Sequence, residues 1–408
     1  MRCTTVTAIA AAVVMSGCAA MKTPENLEDA AQGQAYQAHY RAAADDLRDA
    51  RNARSSALNA ERCAQAPDQA TGGLASSAGW ALSSEALSSE ALSPGDLIEV
   101  TVGSDAIFSG SFEISSDGML RLPHLRAIPA LGREAPALEQ ELAEALLREG
   151  FYRRAPRTSI RLTDTASAKV FVAGAVFEAG QHAIGRVGGE DRDTHRQEAI
   201  GAGGGRRSVS GALRAAGGIR PDADLAHVRL TRAGQTRVLD LQGAIEGRPF
   251  EDASLIAGDQ IEVPSRGCFQ ERLMTANAIS PPGISVYMSN LTKPADANAI
   301  SAIGRDTRQV PYGARFLQTV VSMNCVGGTQ ATNADRYAVL FSRNPITGAS
   351  VVIERRIETL LRRADRDELD PYLLPGDAIA CYDSSVTNLT EIAKSIAIVL
   401  GTGVLLAL

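Results

Sequence analysis

Aromatic side chains are scarce in this 408-residue chain, at 4% of its composition. Its core must therefore be assembled from small aliphatic residues. A surplus of positive charge is also missing: the formal net charge is −6. A general nucleic-acid binder needs a basic face that displaces counterions, and docking to an anionic bilayer needs the same, so both classes are excluded. The five histidines, His39, His124, His182, His195 and His227, form no shared constellation. No Cys-x-x-Cys or His-x-x-x-His spacing occurs, which argues against a bound metal. The Gly201-Ala202-Gly203-Gly204-Gly205-Arg206-Arg207-Ser208 run lacks the Gly-Lys-Ser/Thr ending of a phosphate loop and reads as a mobile loop. Asp191-Arg192-Asp193 and Asp365-Arg366-Asp367 read as solvated surface. With no Gly-x-Ser-x-Gly elbow either, the chain shows no catalytic set and calls for no cofactor.

What is present is ordinary for a globular protein: 45% hydrophobic and 22% charged residues. At ~100–200 residues per domain, the length predicts two to four domains. The N-terminus reads as a processing signal. Arg2 is its basic region, Thr4 to Val14 its apolar run, and Met15-Ser16-Gly17-Cys18 its end. The run is too short to span a bilayer. The last four residues resemble a bacterial lipobox, which makes Cys18 the lipid anchor and residues 1–17 the signal peptide. Ala19 after it, rather than Asp, implies sorting to the outer membrane. Cys63, Cys268, Cys325 and Cys381 remain in the mature chain, and their four thiols allow three full pairings among which sequence cannot choose.

Residues 18–65 read as a solvated helical segment, and 66–92 as a low-complexity linker in which Ser-Ser-Glu-Ala-Leu occurs twice in tandem. The first folded unit, 93–166, opens on the turn Pro94-Gly95-Asp96 and an alternating strand over 97–102. A hairpin is predicted from Phe112-Glu113-Ile114 through Asp117-Gly118 to Met119-Leu120-Arg121-Leu122. Leu138, Leu142 and Leu146 predict a helix over 135–149, and Ser159 to Leu162 a closing strand. The second unit, 167–266, has a strand at Val170, Val172 and Val176, then a polar loop over 185–207. A Ser-capped helix over 208–216 ends at Gly217-Gly218, a hairpin turns at Ala233-Gly234-Gln235, and Gly258-Asp259 leads the last strand. The third unit, 267–383, repeats that order. Its strand lies at 286–288 and its helix at 316–323, followed by Gly327-Gly328. A hairpin turns over 344–348, a second helix covers 357–362, and Pro375-Gly376-Asp377 closes the unit. Matched elements at matched spacing point to an internal duplication.

Residues 384–408 end the chain with an uncharged stretch from Ser395 to Leu408. As a helix, Thr387 to Leu408 is about 33 Å long, enough for a ~30 Å hydrocarbon layer. Ile392, Ile396, Val399, Leu400, Leu405 and Leu406 supply its lipid-facing residues. Thr390, Lys394, Ala397 and Gly401 supply small or polar groups for neighbouring helices or a pore.

Taken in order, these segments resemble the Wza-type outer-membrane polysaccharide export lipoproteins. The Ser93-Pro94-Gly95-Asp96-Leu97-Ile98-Glu99-Val100 opening and the stretch through Leu162 resemble that family's export domain. Val170-Phe171-Val172-Ala173-Gly174-Ala175-Val176 with Ala179-Gly180 resembles the opening of its ligand-binding β-grasp (SLBB) domains; Asn290 stands where the last unit should have the corresponding Gly. The resemblance implies an α+β chain: a small export domain, two SLBB-like β-grasp domains and a C-terminal amphipathic membrane helix. It further implies a lipoprotein of the outer membrane with its soluble domains in the periplasm. Copies would form a ring of about eight that conducts capsular or exopolysaccharide, with an inner-membrane polysaccharide co-polymerase as partner. The alternative is a periplasmic lipoprotein that holds a glycan or a partner and never spans the membrane.

Overall fold

The computed structural model describes residues 91–185, 207–290, 308–326, 336–345, 348, 350–362 and 370–383. Cys18, Cys63 and the whole of 384–408 lie outside them. The fold is mixed α+β, with several sheets and few helices. Among the described residues no helix is long and apolar enough to cross a membrane. The chain divides into two compact units, one of which contains residues 61–281 and the other residues 282–408.

In the first compact unit, β1 (Leu97–Val102) is the centre of a three-stranded antiparallel sheet between β2 (Asp105–Glu113) and β5 (Thr158–Asp164). Its alternation is strict: Ile98, Val100 and Val102 point inward and are buried, while Leu97, Glu99 and Thr101 are exposed. Helix α1 (Ala135–Arg148) lays Leu138, Leu142 and Leu146 on that core at the i, i+4, i+8 spacing of one helix face. The hairpin predicted around Asp117-Gly118 is corrected. Phe112 pairs with Ile98 in β1, while β3 (Met119–Leu120) pairs with β4 (Ile128–Pro129). The close turn is instead at Gly103-Ser104, where Val102 faces Asp105 and Gly103 has φ +53°. Asp117-Gly118 still turns the chain: the Gly118 N–H donates to Ser115 O at 2.8 Å and the Ser115 N–H to Met119 O at 3.0 Å.

The first repeat follows in the same compact unit. Its strands are β6 (Ala168–Gly174), β7 (Gly180–Ile184), β8 (Val228–Arg232), β9 (Gln235–Leu239) and β10 (Gln260–Val263), in sheet order β7-β6-β10-β8-β9. First and last strands, β6 and β10, are parallel neighbours at the centre. Val176, expected in the opening strand, lies beyond it and bridges to Ile219, because Gly174 at φ +89° has already turned the chain. Helix α2 (Val209–Ala215) packs Val209, Ala212 and Leu213 on the sheet, with Ser208 Oγ accepting the Gly211 N–H as its N-cap. A single turn, α3 (Gly243–Glu246), follows β9. The 3₁₀ turn Glu271–Met274 comes after β10, and Leu273 and Ile279 pack into this same core.

The second repeat, in the other compact unit, has β11 (Gly283–Asn290), β12 (Arg308–Pro311), β13 (Arg336–Arg343), β14 (Ser350–Arg356) and β15 (Ala378–Asp383). Their sheet order, β12-β11-β15-β13-β14, reproduces the topology of the first repeat, again with parallel first and last strands. Its helices are α4 (Phe316–Ser322) and α5 (Ile357–Arg362). The duplication holds residue by residue at α2 and α4. The Ser210 N–H donates to Asp252 Oδ1 at 2.8 Å, as Leu317 N–H does to Asp370 Oδ1 at 2.7 Å. The Gly218 N–H donates to Leu213 O as Cys325 N–H does to Val320 O. Asn324-Cys325 therefore occupies the place of Gly217-Gly218, with Asn324 taking the left-handed turn at φ +57°. Gly327-Gly328, taken from sequence as the counterpart, lies three residues further on and outside the described residues.

Candidate functional site: buried aspartate turns and the outer sheet faces

Three turns singled out by sequence, Pro94-Gly95-Asp96, Gly258-Asp259 and Pro375-Gly376-Asp377, are built alike. Each glycine is left-handed, at φ +86°, +91° and +86°, a conformation glycine adopts without steric cost. Each aspartate N–H donates to the carbonyl three residues back. One carboxylate oxygen accepts the N–H of that same earlier residue: Ser93 at 2.8 Å, Ile256 at 2.9 Å and Leu374 at 2.9 Å. The carboxylates are buried, at 0, 1 and 2% exposure. A buried carboxylate needs a counter-charge or a neutralising proton, and here the three sites part company.

Asp96 is met by Arg207, whose Nη1 donates to both carboxylate oxygens at 2.7 and 3.0 Å. Asp259 is met by Arg232, with Nε at 2.9 Å and Nη2 at 2.7 Å. Asp377 has Ser342 instead, whose hydroxyl donates at 2.6 Å. Register makes Ser342 the counterpart of Arg232. Gln260 pairs with Thr231 and Ala378 with Phe341, so each aspartate faces the next residue along. Burial pushes the Asp377 carboxyl up to about 7. Burial also raises Asp96, against the lowering pull of Arg207 and two backbone N–H groups.

The Asp96–Arg207 pair joins the sheet β2-β1-β5 to the first repeat. Arg207, 1% exposed, also donates from Nη2 to Ala91 O at 3.3 Å. Asp96 Oδ1 accepts the Ala166 N–H at 2.8 Å, and Ser93 Oγ accepts the Ala257 N–H at 3.1 Å. A side chain at Gly185 would collide with Arg207, its Cβ lying 2.4 Å from Arg207 Cγ. Arg207 closes the glycine-rich run read from sequence as a mobile loop, so one end of that run is anchored. The pairing spans 111 residues, and no local pattern announces it. In the second repeat Ala314 takes the place of Arg207: the Leu255 N–H donates to Arg207 O, and the Leu373 N–H to Ala314 O.

On the outer sheet faces, Phe171 and Tyr287 occupy one structural position. The Phe171 N–H donates to Asp259 O at 2.9 Å and the Tyr287 N–H to Asp377 O at 2.8 Å. Both rings are exposed, at 45 and 58%. In the first repeat the cross-strand row through Phe171 reads Gln181, Phe171, Gln260, Thr231, Thr236. In the second, the row reads Tyr287, Ala378, Phe341, Val352. Tyr337 stacks on Tyr382 two rows along, centroids 5.7 Å apart.

Of the four cysteines whose pairing sequence left open, Cys325 and Cys381 are bonded to each other across 56 residues, and Cys268 is also disulfide-bonded. Among the described residues no group of three His, Cys, Asp or Glu side chains is placed to hold a metal. Ser208, Ser210 and Asp252 form a hydroxyl–carboxylate chain, Ser210 Oγ donating to Asp252 Oδ2 at 2.7 Å. It caps α2 and includes no histidine to act as base. His227 pairs with Asp224 at 2.8 Å in a separate loop. Cys18, expected from sequence as a lipid anchor, and residues 390–406, expected as part of a membrane helix, lie outside the described residues.

Residues 84–163, a fifth of the chain, match the family model described as polysaccharide biosynthesis/export protein. That family is one of transport rather than catalysis, and the match covers the sheet β2-β1-β5, helix α1 and the Pro94-Gly95-Asp96 turn. Residues 84–163 are therefore similar to a polysaccharide biosynthesis/export domain, and this similarity supports a part in polysaccharide export.

Proposed function

We propose that this protein is a subunit of an outer-membrane channel that exports capsular or exopolysaccharide. On this reading it is anchored through Cys18, has its soluble domains in the periplasm and crosses the membrane with residues 384–408. The match of residues 84–163 to the polysaccharide biosynthesis/export family carries the reading. The two repeats that follow would be the SLBB-like β-grasp domains of that architecture. Their shared five-stranded topology, with parallel first and last strands, supports the assignment. The Cys325–Cys381 bond supports an oxidising compartment such as the periplasm. A single helix cannot line a hydrated pore, since its polar groups would face hydrocarbon. A closed ring of copies removes that cost. An inner-membrane polysaccharide co-polymerase would feed such a ring.

The test combines a gene deletion with an accessibility measurement. Deletion is expected to remove polysaccharide from the cell surface while leaving its synthesis intact. A tag after Leu408 is expected to be labelled in intact cells, while a tag in the 66–92 linker stays silent. Labelling of neither tag until the outer membrane is opened, in a strain that still exports, would favour a periplasmic scaffold that binds a glycan or partner. Cys18→Ser is expected to block signal processing and release the protein from its anchor.

A further inference from the structure

We propose that the outer face of the first repeat's sheet is a saccharide-binding subsite centred on Phe171, with Tyr287 offering a second exposed ring at the equivalent position of the second repeat, among apolar rather than amide neighbours. This rests on the export reading above and names residues that would touch the polymer.

The first ground is position. Strand alternation sends Lys169, Phe171 and Ala173 outward from β6, where a solvated sheet face takes polar or small residues. A chain with 4% aromatic residues nevertheless places an exposed ring at this site in both repeats. Neither ring contributes to the core beneath it. The backbone beneath each ring is fixed, because the residue's own N–H is bonded to the carbonyl of the buried turn aspartate, Asp259 or Asp377. An aromatic ring then has only two side-chain torsions left to order when a ligand lands on it, so little conformational freedom is lost.

The second ground is what flanks the ring. Gln181 on β7 and Gln260 on β10 are register partners of Phe171 on its two sides, and both are exposed. Directly paired side chains lie about 5 Å apart, so two amides border one aromatic face. The hydroxyls of Thr231 and Thr236, 2.8 Å from each other, continue the row. A pyranose presents an apolar face of C–H groups and a rim of hydroxyls. The phenyl ring matches the face, and the amides match the rim as donors and acceptors.

Charge narrows the class further. The five-residue row through Phe171 carries no charged group. In the next row, Arg229 and Glu262 lie 3.6 Å apart and offset each other. Lys169, exposed one row along on the same face, is a single cation and no cradle for a polyanion, whereas an uncharged stretch of glycan needs none. The site is an open platform rather than a pocket, so it holds its ligand weakly. That suits a polymer that must move on, since conduction requires sites weak enough to leave.

The test uses the full chain and two probes: polysaccharide extracted from the surface of the producing cells, and cellohexaose as a defined neutral glycan. Binding is read by affinity electrophoresis and calorimetry. The double variant Phe171→Ala/Tyr287→Ala is expected to bind the extracted polysaccharide roughly tenfold more weakly, the scale of losing an aromatic anchor. Phe171→Leu should behave as Phe171→Ala, and Phe171→Trp should retain binding. The proposal is overturned if the wild type binds neither probe, or if folded alanine variants bind like the wild type. Equal binding by Phe171→Leu and Phe171→Trp would overturn it too, by showing that no ring is needed. A smaller sedimenting species for the double variant would make this face a contact between copies, which also overturns it. If deletion of the chain abolishes export while the folded double variant binds and exports normally, this inference alone fails. If deletion leaves surface polysaccharide unchanged, the export reading fails first.

Discussion

Replacing Asp377 by Asn should raise the stability of the second repeat at neutral pH and remove most of its pH dependence. Asp377 is 2% exposed and meets a serine where its counterpart Asp259 meets an arginine. Its carboxyl is pushed from 3.8 up to about 7 by burial. The folded state therefore binds a proton that the unfolded state releases above about pH 4. This contribution to stability is fully present below the unfolded value and is lost as pH rises through about 7. A separation of about three pH units corresponds to about 4 kcal/mol between the two limits. Asparagine keeps an oxygen for the Leu374 N–H and offers an amide N–H to the Ser342 hydroxyl, without a charge. Hydrogen exchange of β13 and β15 amides in the full chain, corrected for intrinsic rates between pH 5 and 8, measures the effect. The wild type is expected to lose protection as pH rises, and Asp377→Asn to hold it. Parallel pH profiles for the two proteins would refute the argument, since the proton would then be taken up elsewhere.

The same substitution at the paired sites should act in the opposite direction. Asp96→Asn or Arg207→Ala leaves a buried charge without its partner, with an expected loss of about 3–5 kcal/mol in the first compact unit by denaturant titration. Cys325→Ser with Cys381→Ser opens a 56-residue separation, and loop entropy puts the cost near 4 kcal/mol, read as a lower unfolding midpoint of the second repeat under non-reducing conditions. Gly174→Ala should prevent folding of the first repeat. Its Cβ would lie 2.0 Å from Val263 O at φ +89°, on the parallel ladder that closes the sheet. Soluble yield and circular dichroism would show it, with Gly234→Ala, whose Cβ meets nothing within 4 Å, as the comparison for φ strain alone.

Elements with a local signature were legible from the sequence. Leu138, Leu142 and Leu146 place α1 to within a residue of its end, and Ser208 before an apolar run places the cap of α2. The hairpin at Ala233-Gly234 follows from its turn residues, both left-handed at φ +48° and +80°. The Asp117-Gly118 hairpin failed because a good turn says nothing about which strands pair across it. Residues 103–111 alternate too weakly to declare β2, yet β2 took Phe112 and Glu113 as partners for β1. Of the site, the three Gly-Asp turns were visible as motifs, but not what neutralises them. Arg207 and Arg232 reach their aspartates from 111 and 27 residues away. The alternation of Val170 and Val172 already turns Phe171 to the opposite face, but sequence does not say whether that face is covered, and only the structure shows the ring exposed.

In both repeats the first and last strands are parallel neighbours in the middle of the sheet, β6 beside β10 and β11 beside β15. The chain therefore enters each sheet at one end and leaves it at the other. Tension applied through a repeat's two ends pulls β6 and β10 lengthwise past each other, and likewise β11 and β15. The hydrogen bonds of that ladder are then loaded together, in shear, rather than one after another as in a hairpin peeled from its end. Single-molecule extension through the ends of each repeat should therefore find it yielding in one abrupt, high-force step.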